Sequence, residues 1–415
     1  MYFVKLLIKA DRLVDGTGDT PLERAAILIE GGHITAVDTQ ANLDSLPDDG
    51  VDVLDVGQQT IMPGLIEAHA HMHCTGEPDA FEKIFSDDQD TLLLRASKAM
   101  RASLISGVTT MRDLGSRNEV AFPIRQAIQD GVIPGPRLLV AGTPITTTAG
   151  HCNMFGTEAD TEDEVVTAIR QQAKLGADCI KMMSTGGNFT PRSNVRAAQY
   201  PASTLRAAVQ DAERLGLTVA AHCHGTVGVR NSVEAGIHHL IHCSWLAADA
   251  AEEYDYDPAL ADTIAENGTY VDPTIALGRL RYLADPDADV FKPGGAFSNI
   301  EERYRILRDM WDRGVKFIAG LDAGMQEGRF GAHAMVPQVM VENMGISPMD
   351  AIKCSTSVSA EALGVLPITG SLAIGKSADV IVVDGDPSQD ITALHRVTSV
   401  VHQGTVIKRE GRVLI

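Results

Sequence analysis

The chain has 415 residues, 44% of them hydrophobic and 22% charged, the composition of an ordinary soluble globular protein. Its formal charge of -20 opposes binding to nucleic acid or to an anionic membrane surface, and no apolar stretch is long enough to cross a bilayer. Six cysteines in a chain this long argue against a disulfide framework and for a reducing, cytoplasmic compartment.

Residues 1–8 are apolar but short and broken by Lys5, so they read as a first strand rather than a signal peptide. Residues 5–10 and 26–37 read as strands with a glycine turn. The run PGLIEAHAHMH at 63–73 follows, an apolar segment ending in imidazoles two residues apart. Leu92, Ala96, Ala99 and Leu104 then mark one face of a helix that stops at Gly107, before a strand at 108–113. Thr161 and Glu164 form a capping box, Val165, Ile169 and Ala173 keep helical spacing, Gly176 ends the helix, and the apolar run 177–183 carries Lys181. That unit recurs. A helix from Ser203 to Gly216 leads into a run ending His222-Cys-His224; another from Val227 to Gly236 leads to His242; Arg303 to Gly314 leads to Asp322. The chain closes with strands at 378–383 and 397–406 and turns at Gly404 and Gly411.

Alternating helices and strands imply an α/β protein with a parallel sheet, and so many units around one set of residues favour a (β/α)8 TIM-like barrel over residues 61–364. A barrel of that type takes roughly 250 residues, so about 150 remain for a second module or insertions. Residues 1–60 and 365–415 hold too few strands for two separate sheets and are expected to combine into one small composite β-domain.

In such a barrel the C-terminal strand ends converge on one mouth, where His69, His71, Lys181, His222, His242 and Asp322 fall. Residues i and i+2 of a strand share a face, so His69 and His71 can hold one divalent ion between them. A strand histidine taken singly is often only a hydrogen-bonded core group, and it is the recurrence that makes these residues a metal-site inventory. Lys181 inside a barrel is costly unless paired, and a nearby carboxylate is its plain alternative. Cys74, Cys152, Cys223 and Cys243 each follow a histidine but lack the paired spacing of zinc motifs; Cys223, between two inward histidines, is expected to face the helices. His73 is expected beside the ligand set, His238 and His239 are read as structural, and His33, His333, His395 and His402 receive no role. Arg112 and Asp113 are read as an ion pair supporting their strand.

ADRLVDG at 10–16, PGLIEAHAHMH at 63–73, GVTTMRDLG at 107–115, PGPR at 134–137, IKMMSTGG at 180–187, AAHCHG at 220–225, GLDAG at 320–324 and GSLAIGKSADV at 370–380 occur in this order. Together they resemble the amidohydrolase superfamily, and within it the imidazolonepropionase-like and prolidase-like metal-dependent hydrolases. The resemblance covers nearly the whole chain and implies a metal-bearing barrel joined to a composite β-sandwich. Two positions depart from the pattern: Glu67 stands where aspartate is usual before the first histidine pair, and Ile241 where glutamate often precedes the later histidine.

The resemblance also implies a site. One metal would be held by His69, His71 and Asp322, the other by His222 and His242, with Lys181 converted by carbon dioxide into a bridging carbamate. Imidazole and carboxylate ligands suit zinc, with manganese, cobalt or iron as alternatives. His224 can exchange roles with His222, since spacing alone does not say which imidazole binds. Asp322 is the expected general base and then the acid for the leaving amine. His224 and His151, in TTTAGH at 146–151, are candidates for contacting the scissile carbonyl or the transition state. Arg192 and Arg196 are candidates for gripping a substrate carboxylate. The segment 254–299 is expected to shape the pocket.

The leading expectation is a binuclear hydrolase of dipeptides or N-acyl amino acids, working as a homo-oligomer on small molecules. A mononuclear hydrolase or deaminase of a cyclic amide or imidazolone competes with it, but superfamily deaminases usually carry a glutamate where Gly225 stands. A non-catalytic dihydropyrimidinase-like scaffold would be expected to lose ligands, and this chain retains them.

Overall fold

A computed structural model describes residues 5–44, 50–288, 291 and 298–415. Part of the first expected strand, residues 1–4, and part of the expected pocket segment, 289–290 and 292–297, lie outside the described residues.

The helices form where the sequence signals them. Thr161 and Glu164 close a capping box on the helix Glu162–Leu175, which ends on Gly176 at φ 91°. The helix Thr226–Ala235 likewise ends on Gly236 at φ 81°, a left-handed conformation that glycine adopts without a Cβ penalty. Each helix buries an apolar stripe: Val165, Ala168 and Ile169 on one, Leu205, Ala208 and Ala212 on Ala202–Arg214. These stripes pack on the outer faces of the strands in one large core that includes Cys223 and Cys243.

The strands they cover run parallel. Leu65–Ala70, Val108–Asp113 and Arg137–Val140 pair in that order. Cys179–Met183, Thr218–Gly225, His239–Leu246, Tyr270–Asp272 and Lys316–Phe317 pair in turn within a second sheet, in register Met183 with His222 and His222 with Ile241. Backbone hydrogen bonds link the two sets at both edges: Asp178 donates to Val140 at one, and Ala68 and His71 donate to Ala319 and Ala323 at the other. All the strand C-termini therefore reach the same end.

The last of these strands is shorter than the expected 315–322. Beyond Phe317 the Ala319 N–H goes to Ser359 Oγ and the Leu321 N–H to the Glu67 carboxylate, so the ladder yields to side chains before Asp322. Both chain ends meet in a separate nine-stranded sheet: Val380–Val383 runs antiparallel to Thr60–Pro63, which pairs in turn with Lys5–Leu13. Its core includes Ile8, Ile27, Ile61, Val380 and Val401. Among the described residues no helix is long and apolar enough to cross a membrane.

Candidate metal and catalytic site

The shared strand end encloses a cavity of about 280 Å³ lined by His69, His71, Lys181, His222, His242 and Asp322. Two donor groups face each other there. His69, His71 and Asp322 form one, and His222, His224 and His242 the other, the candidate ligand atoms of each group lying within 4.8 Å of one another. Nε2 of His69 and Nε2 of His71 both stand 3.4 Å from Asp322 Oδ1. The rings of His69 and His242, one from each group, are 5.5 Å apart.

Every one of these imidazoles is fixed from behind through a single nitrogen. His69 Nδ1 lies 3.2 Å from Asp272 Oδ2, His71 Nδ1 2.8 Å from the Gly115 carbonyl, and His222 Nε2 3.0 Å from the Gly186 carbonyl. Carbonyl oxygens accept, so Nδ1 of His71 and Nε2 of His222 carry the proton, as does Nδ1 of His69 when Asp272 is ionised, and the opposite nitrogen of each ring then presents a lone pair to the cavity. His224 Nδ1 and His242 Nδ1 meet hydroxyls instead, Ser244 Oγ at 2.8 Å and Thr274 Oγ1 at 2.7 Å. Ser244 Oγ also accepts from Arg303 Nη1 at 2.9 Å, which ties the hydroxyl behind His224 to a fixed cation.

The groups fit a divalent cation. His69 Nε2 and Asp322 Oδ1 are buried and make no hydrogen bond, a deficit that native proteins rarely leave unanswered. Burial holds the histidines neutral, the form that ligates: His71 is pushed down to about 4, by burial and then by the Lys181 charge, and His69, His222, His224 and His242 fall well below the usual range, with burial the leading cause. Lys181 is only 1% exposed and makes no hydrogen bond or ion pair among the described residues. Burial lowers its pKa and raises that of Asp322, while each charge partly offsets the shift of the other. Among the described residues no carboxylate therefore makes the contact that would render this lysine an ordinary core group.

Backbone conformation aims two of the side chains. Strict alternation puts His239 and Ile241 on one face and sends His242 to the other. Left-handed φ values of 68° at His242 and 44° at Cys243 break the pleat and turn His242 inward, and Asp322 is swung in by a φ of 62°. Non-glycine residues in that region are strained and cluster where function demands them.

Supporting residues escaped the sequence. Glu67 accepts the N–H groups of His69 and Leu321 at 3.0 and 2.9 Å and also meets His333 Nδ1 at 2.9 Å, so the substitution of glutamate for aspartate ties a ligand strand to the base of Asp322. Asp272 accepts the Thr274 N–H and lies so close to Gly320 that a Cβ there would come within 2.1 Å of Oδ2. Burial, with Glu67 second, pushes the Asp272 carboxyl up to about 8. The one available signal was an acidic residue ending a short strand. Ile241, the other departure, packs among Leu114, Ala141, Cys179 and Ala220.

His151 reaches the cavity from its loop. Its Nδ1 lies 3.0 Å from Thr190 Oγ1, its ring 4.6 Å from that of His222, and burial pushes it down to about 3. His73 stays outside both donor groups, against Phe155 at 4.9 Å. The two arginines expected at the mouth lie elsewhere. Arg196 is buried with Nη1 on the carbonyls of Ala247, Glu252 and Glu253, and Arg192 lines a neighbouring cleft. Arg281 and Arg303 line the cavity instead.

Arg112 and Asp113 do not form the expected ion pair, because adjacent strand residues point to opposite faces. Arg112 spans the Ala68 carbonyl and His239 Nδ1, whereas Asp113 accepts from Met72, Gly115 and Ser116. The cysteines are free and buried, and burial drives the thiols of Cys74, Cys152 and Cys243 upward, away from the thiolate a metal needs. At Gly225 a Cβ would come within 2.2 Å of the Arg196 carbonyl oxygen, so the deaminase glutamate has no room.

A profile described as the Amidohydrolase family matches residues 60–407. The ochratoxinase of Aspergillus niger is 27% identical over 439 aligned positions, covering 95% of this chain and 84% of that protein. An imidazolonepropionase of Mesorhizobium japonicum is 23% identical, covering 88% of this chain and 87% of that protein. Among solved structures, a Xaa-Pro dipeptidase with methionine bound in its active site matches with a TM-score of 0.85 at 30% identity, covering 97% of this chain and 100% of that one.

Proposed function

Because the chain belongs to the amidohydrolase family, whose hydrolases act on C–N bonds, we propose that it cleaves the amide of a dipeptide or N-acyl amino acid with two divalent ions. The observation that carries this reading is the pair of facing donor groups with a buried Lys181, unpartnered among the described residues, in the same cavity. His69, His71 and Asp322 would hold one ion and His222, through Nδ1, and His242 the other, while Lys181, carboxylated by carbon dioxide, would add an anionic ligand between the two groups. To form it, the amine nitrogen bonds to the carbon of carbon dioxide and a proton passes to water. The same reading takes the parallel strands as a (β/α)8 barrel over residues 61–364, and residues 1–60 and 365–415 as its composite β-sandwich, with support from the hydrogen bonds at both sheet edges.

Divalent ions held there, zinc before manganese, cobalt or iron, supply Lewis acidity and a water acidic enough to attack near neutral pH. Asp322 would act as the base that accepts the proton of the attacking water and as the acid that returns it to the leaving amine. His151 and His224 act on the substrate side. With Thr190 and Ser244 hydroxyls at their Nδ1 atoms, each would offer an Nε2–H to the developing oxyanion in the tautomer whose Nδ1 accepts from the hydroxyl. His222 is read as the ligand and His224 as the residue facing the carbonyl, because the Gly186 carbonyl can only accept, which favours a lone pair on Nδ1 of His222.

The test is a metal count per chain together with a hydrolysis screen on metal-replete protein with bicarbonate present. Two ions and cleavage of dipeptides or N-acyl amino acids support the reading. One ion with activity only on a cyclic amide replaces it with the mononuclear alternative, and neither metal nor turnover leaves the scaffold.

A further inference from the structure

Arg281 lies on the helix Ile275–Ala284, which leaves the site directly after Thr274, the residue that holds His242. Ile275, Leu277, Gly278 and Arg281 of this segment line the cavity. Of the guanidinium donors only Nε is engaged, 3.2 Å from the Gln326 carbonyl. Among the described residues neither Nη atom makes a hydrogen bond or an ion pair. Glu327 also lines the cavity and is felt by Arg281, as is Asp322, but neither carboxylate pairs with it.

A guanidinium stays charged at any relevant pH, and the Arg281 side chain is partly exposed on the cavity wall. The free edge of Arg281 presents two parallel donors, the geometry that matches a carboxylate bidentately. Among the described residues the other cations lining the cavity are engaged or reserved: Arg303 braces Ser244, His242 and Pro273, and Lys181 belongs to the metal reading. Much of the remaining wall is apolar, with Phe81 and Phe189 stacked 4.8 Å apart. Among the described residues an anionic substrate group therefore finds Arg281 as its open partner there.

We infer that Arg281 binds the α-carboxylate of the amino acid released from the amide, so that the site selects substrates whose scissile bond is followed by a single residue with a free carboxylate. This rests on the amide-hydrolase reading above and deepens it: cleavage is confined to the last residue, and a blocked C-terminus is rejected. Arg281 is a specificity residue, apart from the groups that move protons.

The experiment compares each cleaved dipeptide with its C-terminal amide in the wild type, Arg281→Gln and Arg281→Lys, at equal metal content. The wild type is expected to prefer the free acid at least tenfold in kcat/KM, through KM. Arg281→Gln is expected to collapse that ratio toward one and Arg281→Lys to restore part of it. No wild-type preference for the acid, or a ratio unchanged in Arg281→Gln, overturns the assignment. Calorimetry with L-phenylalanine and L-phenylalaninamide separates it from the hydrolase reading. Acid-selective binding that Arg281→Gln abolishes supports the carboxylate site even if no amide is cleaved, and equal binding of both compounds overturns it even if amides are cleaved.

Discussion

The Asp272 carboxylate stands 3.2 Å from Nδ1 of His69, while Nε2 of the same ring faces Asp322 at 3.4 Å. His69 is thus gripped from behind by one acid and opposed by another, and its orientation depends on a residue 203 positions away. Such outer partners typically carry about ten- to a hundredfold in metal affinity. Asp272→Asn is expected to weaken metal binding by about that factor with the fold retained. Titration against a competing chelator measures it; an unchanged affinity would remove Asp272 from the site.

Lys181→Ala is expected to lower metal occupancy, since it removes the only side chain offered as a bridge. A short carboxylic acid such as acetate should partly restore both occupancy and turnover by standing in for the carbamate. Metal analysis with and without acetate is the check, and full occupancy in the unsupplemented variant excludes a bridging role.

Gly187 lies against His151, where an added Cβ would come within 2.3 Å of the ring. Gly187→Ala should displace the imidazole and cost about 10²–10³ in kcat, the usual loss for one oxyanion donor, with metal content unchanged. His151→Asn should fall by a similar factor. Normal kcat in both variants would place His151 outside the reaction.

Asp379 anchors the composite sheet through His402 Nδ1 at 2.8 Å, the Gln403 N–H at 2.9 Å and Arg137 at 3.4 Å. Burial pushes its carboxyl upward, but His402, Arg137 and the Gln403 N–H outweigh burial and hold it below the ordinary carboxylate value. A folded pKa below the unfolded one contributes stability that is complete above about pH 4 and is lost as pH falls toward the lowered value. Asp379→Asn should cost about 1.5–3 kcal/mol at neutral pH, the worth of hydrogen bonds to a charged group. It should also flatten the loss of stability below about pH 4. Urea unfolding across that range checks both; an equally steep acid loss in the variant would assign it to other carboxylates.

Much of this architecture is legible in the chain because its signals are local. The Thr161–Glu164 box, the glycines after each helix and the histidine pair at 69 and 71 need only their neighbours to be understood. What the sequence hides depends on distant contact or on backbone that residue type does not announce. Nothing in the HLIHC run at 239–243 foretells a left-handed histidine, and Asp272, Glu67 and Arg281 acquire meaning only when remote segments converge. The Arg112–Asp113 pairing failed for the opposite reason: adjacency in sequence is separation in a strand.

The antiparallel pairing of Val380–Val383 with Thr60–Pro63 carries a consequence for biosynthesis. The strand that leads into the first two histidines has to wait on the ribosome for a partner made some three hundred residues later, and until then it presents an open edge to other nascent chains. Truncation near the C-terminus should therefore surface as aggregation of newly made protein, long before any question of chemistry at the far end of the strands arises.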